Sequence, residues 1–215
     1  MSSKRPVAVL ISGSGSNLQA LIDACADPAY PARIVTVISN KADAFGLERA
    51  RSANIPTQIL SHKDYSSRVA YDAALDAAIR ASGAEFVCLA GFMRILDDAF
   101  VRQWYGKMLN IHPSLLPSFK GLHTHRQALQ AGVRFAGCTV HFVVPEMDSG
   151  PIILQAVVPV HAEDTESTLA ARVLAQEHLI YPQALRWLAE GALHITPSGT
   201  VTIAGHTSPH TTLIN

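Results

Sequence analysis

Three side chains invite a chemical reading. Asn110 and His112 are separated by one residue in Asn110-Ile111-His112-Pro113, and Asp148 sits within Pro145-Glu146-Met147-Asp148-Ser149-Gly150-Pro151. If the first stretch is a strand, alternation puts Asn110 and His112 on one side, where they face a single site. An amide donates to a developing oxyanion, and a histidine moves protons near neutral pH, so the pair suits acyl transfer. The bland alternative is two strand-end polar groups bonded to loop backbone. A carboxylate beside an imidazole would orient it and favour its protonated form. Asp148 is one candidate for that carboxylate, and Glu146, two residues earlier, is an equally acidic rival. No Gly-x-Ser-x-Gly is present, and none of Cys25, Cys88 and Cys138 has a histidine beside it in a nucleophile signature. A covalent acyl-enzyme is disfavoured, which leaves direct transfer between two bound substrates.

A second feature is Gly13-Ser14-Gly15-Ser16-Asn17-Leu18, a glycine-rich turn leading from an apolar run into a helix. Glycine lets backbone approach a phosphate closely, and a helix N-terminus offers unpaired N–H groups with a partial positive charge. Ser16 and Asn17 supply either helix caps or further donors. A dinucleotide fingerprint would need a third glycine near Leu18 and an acidic residue ending the second strand, which here ends Ser39-Asn40-Lys41. A phosphate monoester is therefore the better guess, with a ligand-free tight turn as the alternative. His123, His125 and His141 raise the question of a metal. The close pair His123-Thr124-His125 lacks an acidic or cysteine partner at the usual spacing, so structural polar roles are the expectation for all three.

These groups need a scaffold, and the chain writes one as alternating short apolar runs and longer Ala-rich segments of helical period. Strands are expected at 6–12, 34–39, 57–60 and 86–90, with helices at 17–26, 45–53 and 66–82 between them. In the second half, 108–112 reads as a strand, 126–131 as a short helix, and 139–144 and 152–160 as strands able to pair antiparallel. Prolines at both ends restrict the loop between the last two, which marks it as a functional loop. A long helix over 165–190 begins at Thr165-Glu166-Ser167-Thr168, whose oxygens can cap it. A hairpin over 193–204 follows, turned at Pro197-Ser198-Gly199, and 205–215 reads as a frayed tail. The fold class is α/β, a mostly parallel twisted sheet flanked by helices with antiparallel strands in the C-terminal half.

The 215 residues suit one domain, 1–215. Seventeen basic residues balance seventeen acidic ones, so no net field draws a polyanion or an anionic membrane, and no basic run makes a local patch. No apolar stretch is long enough to span a bilayer. Val7-Ala8-Val9-Leu10-Ile11 is too short for a signal-peptide core, and isolated thiols suit a reducing compartment. A cytoplasmic protein with small-molecule partners, and neither nucleic acid nor membrane, is the expectation.

Four motifs in one order then carry a resemblance: Val9-Leu10-Ile11-Ser12-Gly13-Ser14-Gly15-Ser16-Asn17-Leu18, Leu89-Ala90-Gly91-Phe92-Met93-Arg94-Ile95-Leu96, Asn110-Ile111-His112-Pro113-Ser114-Leu115-Leu116-Pro117, and Met147-Asp148-Ser149-Gly150-Pro151-Ile152. Together they resemble the folate-dependent phosphoribosylglycinamide formyltransferases of purine synthesis, over about residues 7–188. The resemblance implies a Rossmann-like formyltransferase fold with a phosphate-binding N-terminal half and a folate-binding, catalytic C-terminal half. It implies 10-formyltetrahydrofolate as co-substrate, with no tightly bound cofactor and no metal. Gly15, Ser16 and Asn17 would hold the ribose phosphate and Glu177 the rest of the ribosyl glycinamide. Met93, Arg94, Ile95 and Leu96, with Asn110, Val143 and Val144, would enclose the folate, and Arg68 and Arg94 would meet its tail carboxylates, which an arginine fork matches. Asn110, His112 and Asp148 become the catalytic group.

Neighbouring families share the Asn-x-His and Asp features. Methionyl-tRNA formyltransferases add a C-terminal RNA-binding domain, and formyltetrahydrofolate hydrolases usually add an N-terminal regulatory one. Neither addition is read in this sequence. Lys120-Gly121-Leu122-His123-Thr124-His125-Arg126-Gln127-Ala128-Leu129 also resembles the ribonucleotide enzymes. One departure is Leu174, where some relatives carry Gln as a minor substrate contact. The remaining alternatives are a formyltetrahydrofolate hydrolase and a non-catalytic nucleotide-binding domain. Either a monomer or a homodimer is compatible with the resemblance.

Overall fold

The computed structural model describes residues 4–205 and 211–213. Strand β1 (Arg5–Ile11) lies between β2 (Ala32–Ser39) and β4 (Phe86–Leu89), with β3 (Thr57–Ile59) outside β2 and β5 (Met108–His112) beyond β4, all parallel. Helices α1 (Ser16–Ala26), α2 (Gly46–Ser52), α3 (Arg68–Ala81) and α4 (Asp98–Gln103) fall between these strands in chain order. After α5 (Thr124–Gln130) the sheet continues with β6 (Phe135–Phe142) and β7 (Ile152–Pro159), each antiparallel to its neighbour. This arrangement is the mostly parallel sheet with a C-terminal antiparallel part that the residue pattern predicts. The long helix α6 (Glu166–Ala189) comes next, and β8 (Leu193–Ile195) and β9 (Val201–Ile203) form the small hairpin.

Three departures from the residue pattern bear on the sheet and its cover. Strand β6 begins at Phe135, four residues before the expected start, and includes Gly137, where a Cβ would collide with the Ala156 carbonyl oxygen. Glycine here permits close packing onto β7 and does not break the strand. The short helix α4, capped by the Asp97 side chain on the Ala99 N–H, has no counterpart among the expected elements. Thirdly, a frayed tail is expected from 205, yet β10 (Thr211–Leu213) pairs parallel with Gln155, Ala156 and Val157 of β7. The free edge of β7 offers N–H and C=O groups that an extended Thr-Thr-Leu segment satisfies. Residues 206–210 and 214–215 of that tail lie outside those described.

Two apolar layers fix which faces of the sheet stay open. Odd positions of β1 and β5 (Val7, Val9, Ile11, Leu109, Ile111) pack with α1 and α6. Even positions (Ala8, Leu10, Met108) pack with α3 and α4. Cover on the even side reaches Met108 and stops, so Asn110 and His112 occupy the part of that face that no core helix claims. Helix α6 starts as its sequence predicts: the Thr165 hydroxyl accepts the Thr168 N–H, and the Thr168 hydroxyl accepts the Thr165 N–H.

Candidate active site

In the order β3-β2-β1-β4-β5, the connections leave β1 and β4 toward opposite sides, and the crevice between their carboxyl ends is where such sheets take ligands. The segment after β1 is the glycine loop. Gly15 sits at φ 70°, and a Cβ there would stand 2.5 Å from Gly46 Cα, so only glycine fits. Gly46, at the start of α2, donates its N–H to the Gly13 carbonyl at 3.0 Å, and Arg49 Nε donates to the Ser14 carbonyl at 2.9 Å. The loop is thus held in place, and the first-turn N–H groups of α1 lack intrahelical acceptors. An open cavity of about 340 Å³ adjoins it, lined by Ser16, Gln19, Ala20, Asp23, Arg49 and His178.

Ser16 and Asn17 do not serve as caps: Gly15 is the N-cap residue and no side chain caps the helix. Asn17 is buried instead and its amide donates to Glu177 Oε2 at 2.6 Å, tying α1 to α6. Burial pushes the Glu177 carboxyl above its ordinary range, against the hydrogen bond from Asn17. Two residues expected to bind the same substrate therefore meet directly across 160 positions of sequence.

The second cluster forms on the uncovered face of β5. Asn110 pairs with His141 of β6 across the antiparallel ladder, and cross-strand partners share a face. The His141 ring donates from Nδ1 to the Phe142 carbonyl at 2.9 Å, so its Nε2 accepts the Asn110 amide N–H at 3.1 Å. Burial lowers the His141 pKa, outweighing the Phe142 carbonyl and the Asp148 charge, which suits a neutral ring accepting that bond. His112, one turn of the pleat further on, places Nε2 3.0 Å from the Phe119 carbonyl and Nδ1 3.5 Å from Asp148 Oδ2.

Asp148 reaches this face because the segment after β6 folds back over it. Gly150 packs so closely onto the Phe142 carbonyl that a Cβ would collide with it, and Asp148 adopts φ 50°, a left-handed conformation that Asp tolerates better than most residues. Its Oδ2 accepts the Gly121 N–H at 2.8 Å, and its Oδ1 lies 4.0 Å from His141 Nε2. Lys120 donates to the Ser149 hydroxyl at 2.6 Å, so two loops clamp the carboxylate. Glu146 is exposed and makes no such contact among the described residues, which resolves the choice of carboxylate in favour of Asp148.

Around the mouth, Met93 and Ile95 are exposed, whereas Leu96 is buried in the layer under α3 and α4. The Met93 N–H donates to Ser12 Oγ, which in turn donates to Asn40 Oδ1, fixing the segment after β4 to the end of β1. Val143 donates its N–H to the Met108 carbonyl, and Val144 is half-buried. Arg68 is the first residue of α3 and exposed, and Arg94 lies over the Tyr71 ring. His141 is the member that residue spacing misses. Only the β5–β6 register, which no local pattern encodes, puts it opposite Asn110.

Among the described residues, no group of three or more His, Cys, Asp or Glu stands close enough to hold a metal ion, and no helix is long and apolar enough to cross a membrane. Chemically, the cluster offers an amide N–H, a buried imidazole and an oriented carboxylate side by side. That set can stabilise a tetrahedral oxyanion and relay a proton.

The chain is similar to proteins of known sequence and structure. Residues 5–185 match the formyl transferase family. The chain is 56% identical to phosphoribosylglycinamide formyltransferase of Escherichia coli over 87% of its length and 88% of that protein's. It is 56% identical to a trifunctional purine biosynthetic protein of Bos taurus over 92% of its length, but spans 20% of that longer protein. The crystal structure of glycinamide ribonucleotide transformylase 1 from Symbiobacterium toebii superposes with a TM-score of 0.91 at 50% identity, covering 94% of this chain and 95% of that one. A match over most of the chain, with the fold in agreement, makes this protein a member of the formyl transferase family.

Proposed function

We propose that this chain transfers the formyl group of 10-formyltetrahydrofolate to the amine of N1-(5-phospho-D-ribosyl)glycinamide, a step of purine biosynthesis. The observation that carries the proposal is the meeting of Asn110, His112 and Asp148 at the part of the β5 face that no core helix covers, with His112 Nδ1 3.5 Å from Asp148 Oδ2. The names of the relatives supply the substrates.

In the proposed reaction the uncharged glycinamide amine attacks the formyl carbon. The C–N bond to the amine forms, and the carbonyl electron pair moves to oxygen. Asn110 carries two amide N–H groups, one of which is donated to His141. The other stabilises the oxyanion, an interaction stronger in the transition state than in the ground state. As the oxyanion collapses, the bond to the folate nitrogen breaks. The proton lost by the amine is passed by way of His112 to that nitrogen, so the overall reaction balances without a covalent enzyme intermediate. Asp148 fixes the imidazole and offsets its positive charge.

Gly15, Ser16 and Asn17 hold the ribose phosphate at the α1 N-terminus, and Glu177 contacts the ribosyl glycinamide. Met93, Arg94, Ile95, Leu96, Val143 and Val144 enclose the folate, Leu96 through its backbone since its side chain is buried, and Arg68 and Arg94 take its tail carboxylates. The chain works as one domain in the cytoplasm, with 10-formyltetrahydrofolate consumed as co-substrate and not retained as a cofactor.

The test is an absorbance assay of 10-formyltetrahydrofolate with and without phosphoribosylglycinamide. Loss of formyl-folate that depends on the amine supports the transferase. Formate release at the same rate without the amine identifies a hydrolase and rejects the proposal, and tight nucleotide binding with no turnover rejects it in favour of a binding domain.

A further inference from the structure

Arg94 rests on a buried arrangement that the proposed reaction does not use. Its guanidinium carbon stands 4.5 Å from the centre of the Tyr71 ring, a cation over an aromatic face. Tyr71 is fully buried and is held edge-on by Tyr65, with ring centres 5.5 Å apart at 80°. The next residue, Asp72, is 3% exposed, and its Oδ2 accepts the backbone N–H of Asp97, three residues beyond Arg94, at 2.6 Å.

Three buried polar atoms coincide here. The Tyr71 hydroxyl, Asp72 Oδ1 and Arg94 Nε have no hydrogen-bond partner among the described residues. Buried polar groups are ordinarily paired, and a buried carboxylate demands compensation. Burial pushes the Asp72 carboxyl up, while the Asp97 N–H and the charges of Arg94 and Arg68 pull it back. Asp72 is therefore compensated in part through space by the same two arginines assigned to the folate tail. A core that needed only the Asp97 contact would be served as well by a neutral side chain.

We propose that Asp72 and Tyr71 are positioning residues for Arg94: the ring lies against the guanidinium, and the carboxylate, anchored on the Asp97 N–H of the segment that carries Arg94, steadies it by its charge, so that its N–H groups are preorganised for a carboxylate of the folate tail. The inference rests on the folate site proposed above and deepens it. An arginine side chain loses rotamer freedom on binding, and one already held loses less. Pairing with a carboxylate requires the planar fork in a defined orientation.

Asp72→Asn tests this, because an asparagine keeps the shape and can still accept the Asp97 N–H while losing the charge. KM is measured for 10-formyltetrahydrofolate and for 10-formyltetrahydropteroate, which lacks the tail glutamate. The expected result is a roughly five- to tenfold rise in KM for the tailed substrate, an unchanged kcat, and no change for the tail-less one. Arg94→Lys should raise KM for the tailed substrate similarly, and adding Asp72→Asn to it should add nothing. An unchanged KM in Asp72→Asn, an equal rise for both substrates, or additive losses in the double variant overturns the positioning role. If the wild-type protein itself has the same KM with and without the tail, the tail site at Arg94 fails, a different failure from loss of positioning.

Discussion

The glycine loop after β1 and the cluster on β5 serve one proposed reaction but are built in opposite ways. The loop is made of backbone: Gly15 is pressed against Gly46, the Gly13 and Ser14 carbonyls are tied to α2, and the donors are helix N–H groups. The cluster is made of side chains that meet across separate segments, with His112 and Asp148 at 3.5 Å and His141 and Asp148 at 4.0 Å. A phosphate presents the same charge throughout the reaction, so a fixed cradle suffices. A formyl carbon changes geometry and charge during transfer, and groups able to shift protons must respond. The difference teaches that the loop's backbone donors lie in one short segment, whereas the β5 cluster is assembled only by long-range folding.

Substitutions in the two regions should accordingly fail in different ways. The largest effect is expected at His112→Ala, which removes the proton relay: kcat should fall roughly a thousandfold, within the range for general acid–base groups, with KM for phosphoribosylglycinamide little changed. Steady-state kinetics with saturating folate checks this, and a large KM change with intact kcat would erase the distinction between the regions.

Gly15→Ala comes next and should fail as structure. A left-handed alanine whose Cβ meets Gly46 at 2.5 Å should cost about 2–3 kcal/mol, a fall in Tm of roughly 4–12 °C. KM for the ribonucleotide should rise as the cradle distorts, while kcat at saturation is retained. Differential scanning calorimetry and the same assay report the two effects together.

The smallest effect concerns Glu177, where binding opposes stability. Its folded pKa is raised above the ordinary carboxylate value of 4.5, so between the two values the native state holds the extra proton and stability falls as pH rises. Glu177→Gln can still accept from Asn17 without ionising. It should raise Tm at about pH 8, with the advantage shrinking toward pH 4.5, while weakening ribonucleotide binding. A Tm gain of the same size at every pH would contradict that direction.

The same contrast explains what is legible in the sequence. Apolar runs and Ala-rich periods mark the β1–β5 half because each element is specified by its own residues, and Gly13 to Asn17 can be read as an anion loop for the same reason. Strand alternation is enough to put Asn110 and His112 on one face. It cannot choose between Glu146 and Asp148, because a loop has no period. The choice depends on the left-handed turn at Asp148 and on Gly121, far away in the chain. His141 reads as structural because its partner Asn110 is set by register alone. Helix α4 is only six residues long and its stability comes from packing Phe100 and Val101 into the layer under the sheet, not from a repeating pattern.

The central claim is that Asp148, brought from a loop, makes the β5 pair reactive. The direct measurement is single-turnover formyl transfer by Asp148→Asn, a substitution that tolerates the left-handed backbone and keeps an acceptor for the Gly121 N–H. Binding of both substrates should persist while the rate of transfer drops by roughly a hundredfold or more. Transfer at a near-wild-type rate would show that Asn110 and His112 act without the carboxylate, and the account would be wrong.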